Sequence, residues 1–482
     1  MSERRDKSRA KWIVLGVIGS VVFLSILVAL LQFVNFRSGN ASAIRELEAR
    51  IKQKGEPLTT AELMAAYPPI PDQVNGAVAL LQVWERENPP YWRAFREGRS
   101  SLPPTKEPAV DRAVPFRGAD AQQIARMQVL QVTNIAAAEA HLASNQEHLA
   151  AVRIALQHSQ FRFPLATTNG LMRMLYSHVS ELRKEAQNFR IEALIAGEHG
   201  DVDGAIANLE YVARTGHALA AEPLLISQLT RCGLYSMVLA DLQRLLSHHS
   251  LSVGQLERVD ALLDQLQMTG VLRSALVAER VAMVSVFSLP PSQLNEMLIS
   301  NGADDSTQAS YQVGFGVLGA AGLKDADHRL ILETMEKAIA LAERDDPEAM
   351  KENKMLFDRV AVEATKFPPK IFVGMLLPNL QKIPTRFASF EARRRSGKVA
   401  IAIERYRLAH NGALPDHLES LVPQYLPAIP NDPFDANPLR FRPLPAGFVV
   451  YSIGENRADD SGKERPLKGS AKDIDETFII ER

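Results

Sequence analysis

Two histidines in this chain stand at a spacing that could bind a metal ion. His141 and His148 lie seven residues apart in a segment of helical periodicity, so they would share one face of a helix. Imidazole nitrogens can bind zinc, but no third ligand follows at a fitting distance in the sequence. We therefore favour a solvated or partly buried helix face. His248 and His249 end another predicted helix, where a positive charge is favourable.

Sequence motifs of catalysis and nucleotide binding are missing. The sequence contains no His-Glu-x-x-His zinc motif, no Gly-x-Ser-x-Gly nucleophile and no Walker phosphate-binding motif. Glycines recur over residues 314–319, but no Lys-Ser or Lys-Thr follows them and no strand is predicted before them. We interpret this stretch as a flexible loop or a small-residue contact. No residue is assigned a catalytic role.

Two further clusters have both a functional and a structural interpretation. Trp84, Tyr91 and Trp92 could form an aromatic ligand site, although packing of the neighbouring loop against the body explains them more simply. Residues 393–395 are three consecutive arginines, which could bind a partner. Because Arg and Glu alternate along the helical segments, we favour a solvated helix face for these arginines.

Composition excludes several classes of protein. The chain has 482 residues, 46% of them hydrophobic, which is enough for two or three domains with a sizeable core. The 55 basic and 56 acidic residues give a net charge of −1, without the basic excess of a nucleic-acid-binding protein. Cys232 is the one cysteine, so no intrachain disulfide can form, and we expect its thiol to be buried.

An uncharged apolar segment near the N-terminus predicts a membrane anchor. Residues 12–34 carry no charged side chain, and a helix of this length spans roughly 34 Å, enough for a hydrocarbon core of about 30 Å. Basic residues dominate the preceding residues 1–11, which places them in the cytoplasm and the bulk of the chain outside the inner membrane. The alternative is a cleaved signal peptide, since residues 41–43 read Ala-Ser-Ala, but a signal core is usually shorter.

Residues 35–118 read as short membrane-proximal helices followed by a linker. A helix is predicted over residues 43–54, and the capping-box pattern from Thr59 to Glu62 begins another. Another helix is predicted over residues 73–87. Many prolines in residues 88–118 then predict an extended loop.

Residues 119–384 form a predicted helical body. Apolar residues recur there at helical spacing over most of the length. Small residues on both sides of Gly200 and Asp201 predict one tetratricopeptide-type helical hairpin, although no second copy is apparent at that period. A second capping-box pattern, from Ser252 to Gln255, begins a further helix.

The remaining residues, 385–482, carry a different pattern. A long helix is predicted over residues 386–410 and ends at Gly412. Strand-like runs follow at residues 439–442, 448–453 and 478–480. The fold class is therefore mainly α, with an N-terminal transmembrane helix, a helical body outside the membrane, and a small C-terminal α+β domain in which one helix packs on an antiparallel sheet.

This C-terminal segment resembles the globular part of the major (G-type) pseudopilin of type II secretion. The shared features, in the same order, include Leu414-Pro415, Leu421-Val422-Pro423, Tyr425-Leu426-Pro427, Asp432-Pro433-Phe434 and Tyr451-Ser452-Ile453-Gly454. A pseudopilin also carries a Gly-Phe processing site and an early glutamate in its anchor, and residues 12–34 have neither. A processed filament subunit is therefore not expected. The whole chain also resembles large membrane proteins of planctomycetes and verrucomicrobia that carry such a tail.

The resemblance implies a calcium site in the loop after the second strand. Calcium takes six to eight oxygen ligands from carboxylates, amides and carbonyls. The implied ligands are the carboxylates of Asp459, Asp460 and Asp473, the Asn456 amide and the Ile453 carbonyl. Arg457 and Lys463 stand among them and oppose a cation, so a solvated acidic turn is the alternative.

These features together favour a membrane-anchored, non-catalytic scaffold or binding protein of the cell envelope. Its helical body would present a surface to envelope proteins, and its C-terminal domain would be steadied by calcium and linked to protein secretion. The alternative is an extracytoplasmic enzyme whose active site is built from dispersed residues of the body. A cleft with several perturbed carboxylates or histidines would favour the enzyme, whereas a groove without them would favour the binding protein.

Overall fold

The computed structural model describes most of the chain between residues 34 and 482. It covers residues 34–96, 135–165, 176–290, 323–344, 346–366, 370–377, 380–463 and 474–482, with Leu27, Leu171 and Gln293. This part is mainly helical with one small antiparallel sheet, as predicted.

The longer helices are α1 (residues 34–53), α2 (Thr60–Ala65), α3 (Gly76–Glu87), α4 (Pro89–Arg96), α5 (Ile135–Ser144), α6 (Gln146–Ala155), α7 (Ser177–Glu198), α8 (Val202–His217), α9 (Leu225–His248), α10 (Val253–Gln265), α11 (Val271–Val286), α12 (Leu323–Arg344), α13 (Pro347–Ala364), α14 (Ile371–Leu376) and α15 (Ile383–Ala409). Two short 3₁₀ helices lie at Asp72–Val74 and Leu418–Leu421. The strands are β1 (Arg440–Leu444), β2 (Gly447–Ser452) and β3 (Glu476–Glu481).

The predicted anchor lies almost wholly outside the described residues. Of residues 12–34, only Leu27 and Val34 are described, and both are helical. Helix α1 continues from Val34, well before the predicted start at residue 43. Among the described helices, none is long and apolar enough to cross a membrane. The anchor therefore stays a prediction.

Local capping explains where several helices begin. At α2 the Thr59 hydroxyl accepts a hydrogen bond from the Glu62 amide at 3.2 Å, and the Glu62 carboxylate accepts one from the Thr59 amide at 3.0 Å. The predicted capping box of Ser252 and Gln255 at α10 has the same two bonds. Both predicted capping boxes are therefore confirmed.

The predicted extended loop over residues 88–118 is wrong at its start. Residues Pro89–Arg96 form α4, and residues 97–118 lie outside the described part of the chain. Pro89 and Pro90 occupy the first turn of the helix, where a missing backbone N–H costs no intrahelical hydrogen bond. Prolines in this position begin a helix instead of preventing one.

The predicted hairpin around Gly200 is confirmed as two packed helices. α7 and α8 pack together, joined by a turn in which Gly200 has a φ of +79°. The Asp201 carboxylate then accepts a hydrogen bond from the Gly204 amide at 2.9 Å and caps α8. The side chains of Phe189 and Leu209 are buried in the core that the helices share with their neighbours.

Helix α9 is the centre of the core. It contacts α7, α8, α11, α15 and β3, and its buried residues lie on all sides of the helix. A helix that is apolar all round must be surrounded by other elements, which is the case here. Most of the helical body therefore packs directly or indirectly on α9.

The C-terminal sheet is built into this core. Its strand order is β1-β2-β3 with antiparallel pairing, and α15 packs against it, as predicted. The outer edge of β3 faces α9: the Ile479 amide donates to the Gln243 side-chain oxygen at 3.2 Å, and the Glu481 amide donates to the Ser247 hydroxyl at 3.4 Å. One hydrophobic cluster includes residues of the body, α15 and the sheet, so the core is continuous across residue 384.

Replacement of Gln243 tests this connection. Gln243→Met leaves the buried Ile479 amide without its acceptor, and we expect a loss of roughly 1–3 kcal/mol in the free energy of unfolding. Urea unfolding followed by circular dichroism measures it. Ser236→Ala on the same helix is the control, because the Ser236 hydroxyl bonds Cys232 of its own helix. Equal losses in both variants would contradict the assignment.

Candidate binding groove

A groove opens where the ends of four helices meet. Its walls are the loop before α11 and the start of that helix, the end of α12, the start of α13 and the first turns of α15. Pro433 of the C-terminal segment closes one side. The groove has a volume of about 330 Å³. It therefore brings together residues that are far apart in the sequence.

Five partly buried apolar residues line the groove, and we refer to them as its floor. Met268, Leu272, Leu341, Met350 and Ala388 line it and are only partly buried. The same groove is lined by Ala342, Phe387 and Phe390. Since partly exposed apolar side chains gain free energy when they lose contact with water, a converging set of them favours binding of an apolar group.

The charged side chains of the lining, which we refer to as the rim, are all paired. Arg273 Nε lies 2.6 Å from the Glu343 carboxylate, and Arg395 Nε lies 2.8 Å from the Glu391 carboxylate. Asp346 pairs with Arg344 outside the rim at 2.9 Å. Charges matched in this way leave a rim with little net field.

Two carboxyl groups of the lining, Asp346 and Glu391, have lowered pKa values. The Asp346 carboxylate accepts a hydrogen bond from the Ala349 amide at the start of α13, and this bond together with Arg344 lowers its pKa. Burial opposes ionisation of Glu391, but Arg394 and Arg395 outweigh it and lower the pKa of that carboxyl. Both groups are therefore held ionised, whereas a general acid or base works best with a pKa near the operating pH.

Groups whose pKa values are strongly shifted by burial lie elsewhere. Burial raises the pKa of Glu279 on α11 to about 7 and that of Asp327 on α12 to about 6, and it lowers the pKa of His328 to about 4. The Asp327 carboxylate accepts a hydrogen bond from the Phe372 amide at 2.8 Å and so holds α14 in place. The His328 ring stacks on the Phe287 ring, with 4.6 Å between the ring centres. None of these three groups lines the groove.

A buried Ser, His and Glu cluster at the start of α9 is structural by its geometry. His178 Nε2 lies 2.8 Å from one carboxylate oxygen of Glu222, and the Ser227 hydroxyl donates to the other at 2.5 Å. In a catalytic triad the imidazole stands between the hydroxyl and the carboxylate so that it can take the hydroxyl proton. Here the carboxylate stands between them, so Ser227 is not activated. The cluster joins α7 to the loop before α9.

A smaller cleft of about 40 Å³ lies beside the hairpin of α7 and α8. Its lining includes Arg190, which makes two bonds to Asp241 at 2.5 and 2.9 Å. It also includes Arg244, 2.5 Å from Glu198. These pairs bind the helices to one another and occupy the charged groups that a ligand would use.

The predicted helix face with two histidines is divided in the structure. α5 ends at Ser144 and α6 begins at Gln146, so His141 and His148 stand on different helices. His141 Nε2 lies 3.2 Å from the Asn188 side-chain oxygen. His148 is largely buried between two carboxylates, with Nε2 at 2.8 Å from Glu185 and Nδ1 at 3.0 Å from Glu87. The partly buried form of the predicted face therefore holds for His148, which joins three helices.

Two other sequence clusters are also packing elements. Trp84, Tyr91 and Trp92 are buried, and Trp84 lies 5.1 Å from Trp92 between ring centres, so the packing interpretation is confirmed. The solvated face predicted for residues 393–395 is wrong for Arg394. Its side chain is buried, and its guanidinium donates to the Leu263 carbonyl at the end of α10 at 3.2 Å.

The proposed calcium ligands are only partly brought together. The Asp459 carboxylate lies 3.4 Å from Arg440 Nε, and Asp460 accepts a hydrogen bond from the Asn456 amide group at 2.8 Å. The Ile453 amide donates to Asp432 at 2.9 Å, and Asp473 lies outside the described residues.

The described part of this loop fits a cation poorly. Arg440 also pairs with Asp432 at 3.0 Å, so its guanidinium already supplies positive charge at the place where calcium would bind. Within the described ranges, no group of three or more His, Cys, Asp or Glu residues could hold a metal ion. The calcium site stays a prediction from the resemblance.

Comparisons with known proteins found no match: no protein-family model, no curated protein and no solved structure matches this chain.

His148 should make the stability of the chain depend on pH. Burial disfavours its charged form, but the hydrogen bonds and charges of Glu185 and Glu87 outweigh it and raise the pKa of His148 to about 10. An unfolded histidine titrates near 6.5. The stabilisation is therefore complete below a pH of about 6.5 and is lost as the pH rises toward 10.

We expect His148→Gln to cost roughly 1–3 kcal/mol in the free energy of unfolding near pH 6 and much less near pH 10. Urea unfolding at intervals across this range measures the difference. His141→Gln provides the matched control, because His141 bonds the Asn188 side chain and no carboxylate among the described residues. A cost for His148→Gln that does not change with pH would show that the imidazole is not charged in the folded chain.

Proposed function

We propose that this chain is a non-catalytic, membrane-anchored binding protein of the cell envelope, and that the groove between α11, α12, α13 and α15 receives an apolar segment of a partner polypeptide. The observation that carries this proposal is the groove itself: an apolar floor inside a rim of paired charges. The carboxyl groups of Asp346 and Glu391 in its lining have lowered pKa values, which suits binding better than proton transfer.

The lining of the groove suits an apolar segment of a polypeptide. Its volume of about 330 Å³ falls within the range of about 300–1,000 Å³ that is usual for ligand pockets, so the assignment to a polypeptide rests on the lining and not on size. Helices that meet at their ends leave a groove suited to side chains spaced along a peptide, and methionine, here Met268 and Met350, adapts to varied apolar surfaces. The neutral rim requires no charged partner, and the composition of the chain argues against nucleic acid.

The cellular setting proposed here rests on the sequence. The uncharged residues 12–34 and the basic residues before them support a single span in the inner membrane, with the cytoplasm on the side of residues 1–11. The C-terminal segment resembles a pseudopilin, which supports a link to protein secretion and a calcium-steadied loop. The membrane span, the link to secretion, the calcium-steadied loop and the envelope partner are all part of this proposal.

Site-specific cross-linking tests the groove. A photoreactive amino acid in place of Leu272, on the floor, should form an adduct with a partner polypeptide in intact cells, and Ala342→Trp should reduce that adduct at least about tenfold because the indole fills the site. The control is a photoreactive group at Val362 on α13, which is 62% exposed and does not line the groove. Adducts that form equally from both positions, or that persist with Ala342→Trp, would refute the proposal.

An enzyme is the second candidate, and Glu279 is the observation that favours it. Its carboxyl has a pKa of about 7, and no hydrogen bond or ion pair to it occurs among the described residues. Tyr176 is near: burial, with the charges of Glu279 and Glu222, raises its pKa to about 12. A carboxyl group with a pKa near 7 and a tyrosine nearby could transfer a proton. Burial alone also explains the raised pKa of Glu279.

Titration of Glu279 can be separated from catalysis by a stability measurement. The folded pKa of about 7 exceeds the ordinary value of 4.5, so the stability of the wild-type chain should fall as the pH rises from 4.5 to 7. Glu279→Gln should remove this fall and be more stable than the wild type by roughly 1–2 kcal/mol above pH 7. Glu257→Gln, on the exposed side of α10, is the control. A stability difference that is the same at pH 4 and pH 8 would contradict the raised pKa.

A further inference from the structure

The segment before α2 forms an arm that lies across the body. We define the N-terminal arm as residues 34–58, which comprise α1 and the turn after it. Its apolar side chains Ile44, Leu47, Ile51 and Leu58 form one cluster with Leu332 of α12, and Val284 of α11 packs against them. The arm is therefore seated on the two helices that also form walls of the groove.

Buried charges fix the end of the arm. The Glu56 carboxylate, 7% exposed, accepts from Arg280 Nη1 at 2.8 Å and from Arg273 Nη2 at 2.5 Å. Arg280 is fully buried and also bonds Glu336 and the Pro57 carbonyl. An isolated buried charge is costly, so Arg280 holds the arm in place through Glu56.

Arg273 belongs to the arm contact and to the groove at once. Its Nη2 binds Glu56 of the arm, while its Nε binds Glu343 at 2.6 Å. Both Arg273 and Glu343 line the groove, and Leu272 of the floor is the preceding residue on α11. If Glu56 leaves, Arg273 keeps one carboxylate instead of two, and the wall loses a fixed side chain.

We infer that docking of the N-terminal arm sets the shape of the groove through the Glu56–Arg273–Glu343 chain of ion pairs. The biological meaning of this coupling rests on the proposed binding function. Coupling between sites is reciprocal, so a segment bound in the groove also changes how tightly the arm is held. In a membrane-anchored protein the arm directly follows the span, and a partner at the membrane surface acts on the arm first.

Thiol labelling of the full-length protein in detergent tests the coupling. Ala342→Cys reports on the groove, and Ile44→Cys reports on the arm. The native Cys232 is buried and its pKa is raised by burial to about 12, so it reacts slowly and reports on global unfolding. Glu56→Gln weakens the arm contact with Arg273. Lys54→Met is the matched control, because Lys54 binds Glu336 at 2.9 Å and does not touch Arg273.

With Glu56→Gln we expect the labelling rates of both reporters to rise roughly five- to tenfold, while Cys232 stays slow. Lys54→Met should leave the groove rate unchanged. A rise at Ile44→Cys without any change at Ala342→Cys would overturn the inference and leave the arm as a separate structural contact, and so would no rise at either position.

Arg273→Met tests the coupling in a second way, because it removes the ion pair between Glu56 and Arg273 and leaves the ion pair between Glu56 and Arg280 in place. It should raise the rate at Ala342→Cys with a smaller effect at Ile44→Cys, and an unchanged groove rate would again overturn the inference. These outcomes are independent of the partner. Failure of the cross-linking at Leu272 would refute the proposed function while the labelling rates still showed the coupling, and the reverse pattern would refute the coupling alone.

Discussion

The buried guanidinium of Arg280 is the interaction on which the arrangement around the groove depends. Removing this charge from water is unfavourable unless carboxylates compensate for it, and it meets two, Glu56 and Glu336, from segments distant in the sequence. The chain can satisfy Arg280 only when the arm, α11 and α12 come together. Because breaking one partner of a buried pair costs about 3–5 kcal/mol, this requirement selects one packing of the arm over others.

The second constraint is the surrounded helix α9, which makes the C-terminal segment part of the body. An edge strand with free N–H groups invites pairing with another chain. In β3 those groups are occupied by the side chains of Gln243 and Ser247, so that edge of the sheet is closed by a helix of the body. A C-terminal segment held in this way extends the helical body and contributes Pro433 to the groove.

Local features of the sequence predicted the elements well, and distant contacts explain what it could not predict. Capping boxes, the turn at Gly200 and the three strands depend on neighbouring residues, and all were found. The burial of Arg394 depends on a carbonyl of α10, and the charge of His148 depends on Glu87 and Glu185 from two other helices. The groove was not predictable for the same reason: its floor is assembled from helix ends, and helix periodicity describes faces, not ends.

In the described part of the chain, the groove and the carboxyl groups with pKa values near neutrality lie in different places. At the groove, Arg394 and Arg395 lower the pKa of Glu391, the Ala349 amide together with Arg344 lowers that of Asp346, and both carboxylates stay ionised and paired. The groups with pKa values near neutrality, Glu279 and Asp327, owe their shifts to burial among packed helices. An active site needs both properties in one place, since a poised proton-transfer group must also meet the substrate. Among the described residues the two properties lie in different places, which supports the proposed binding role of the groove.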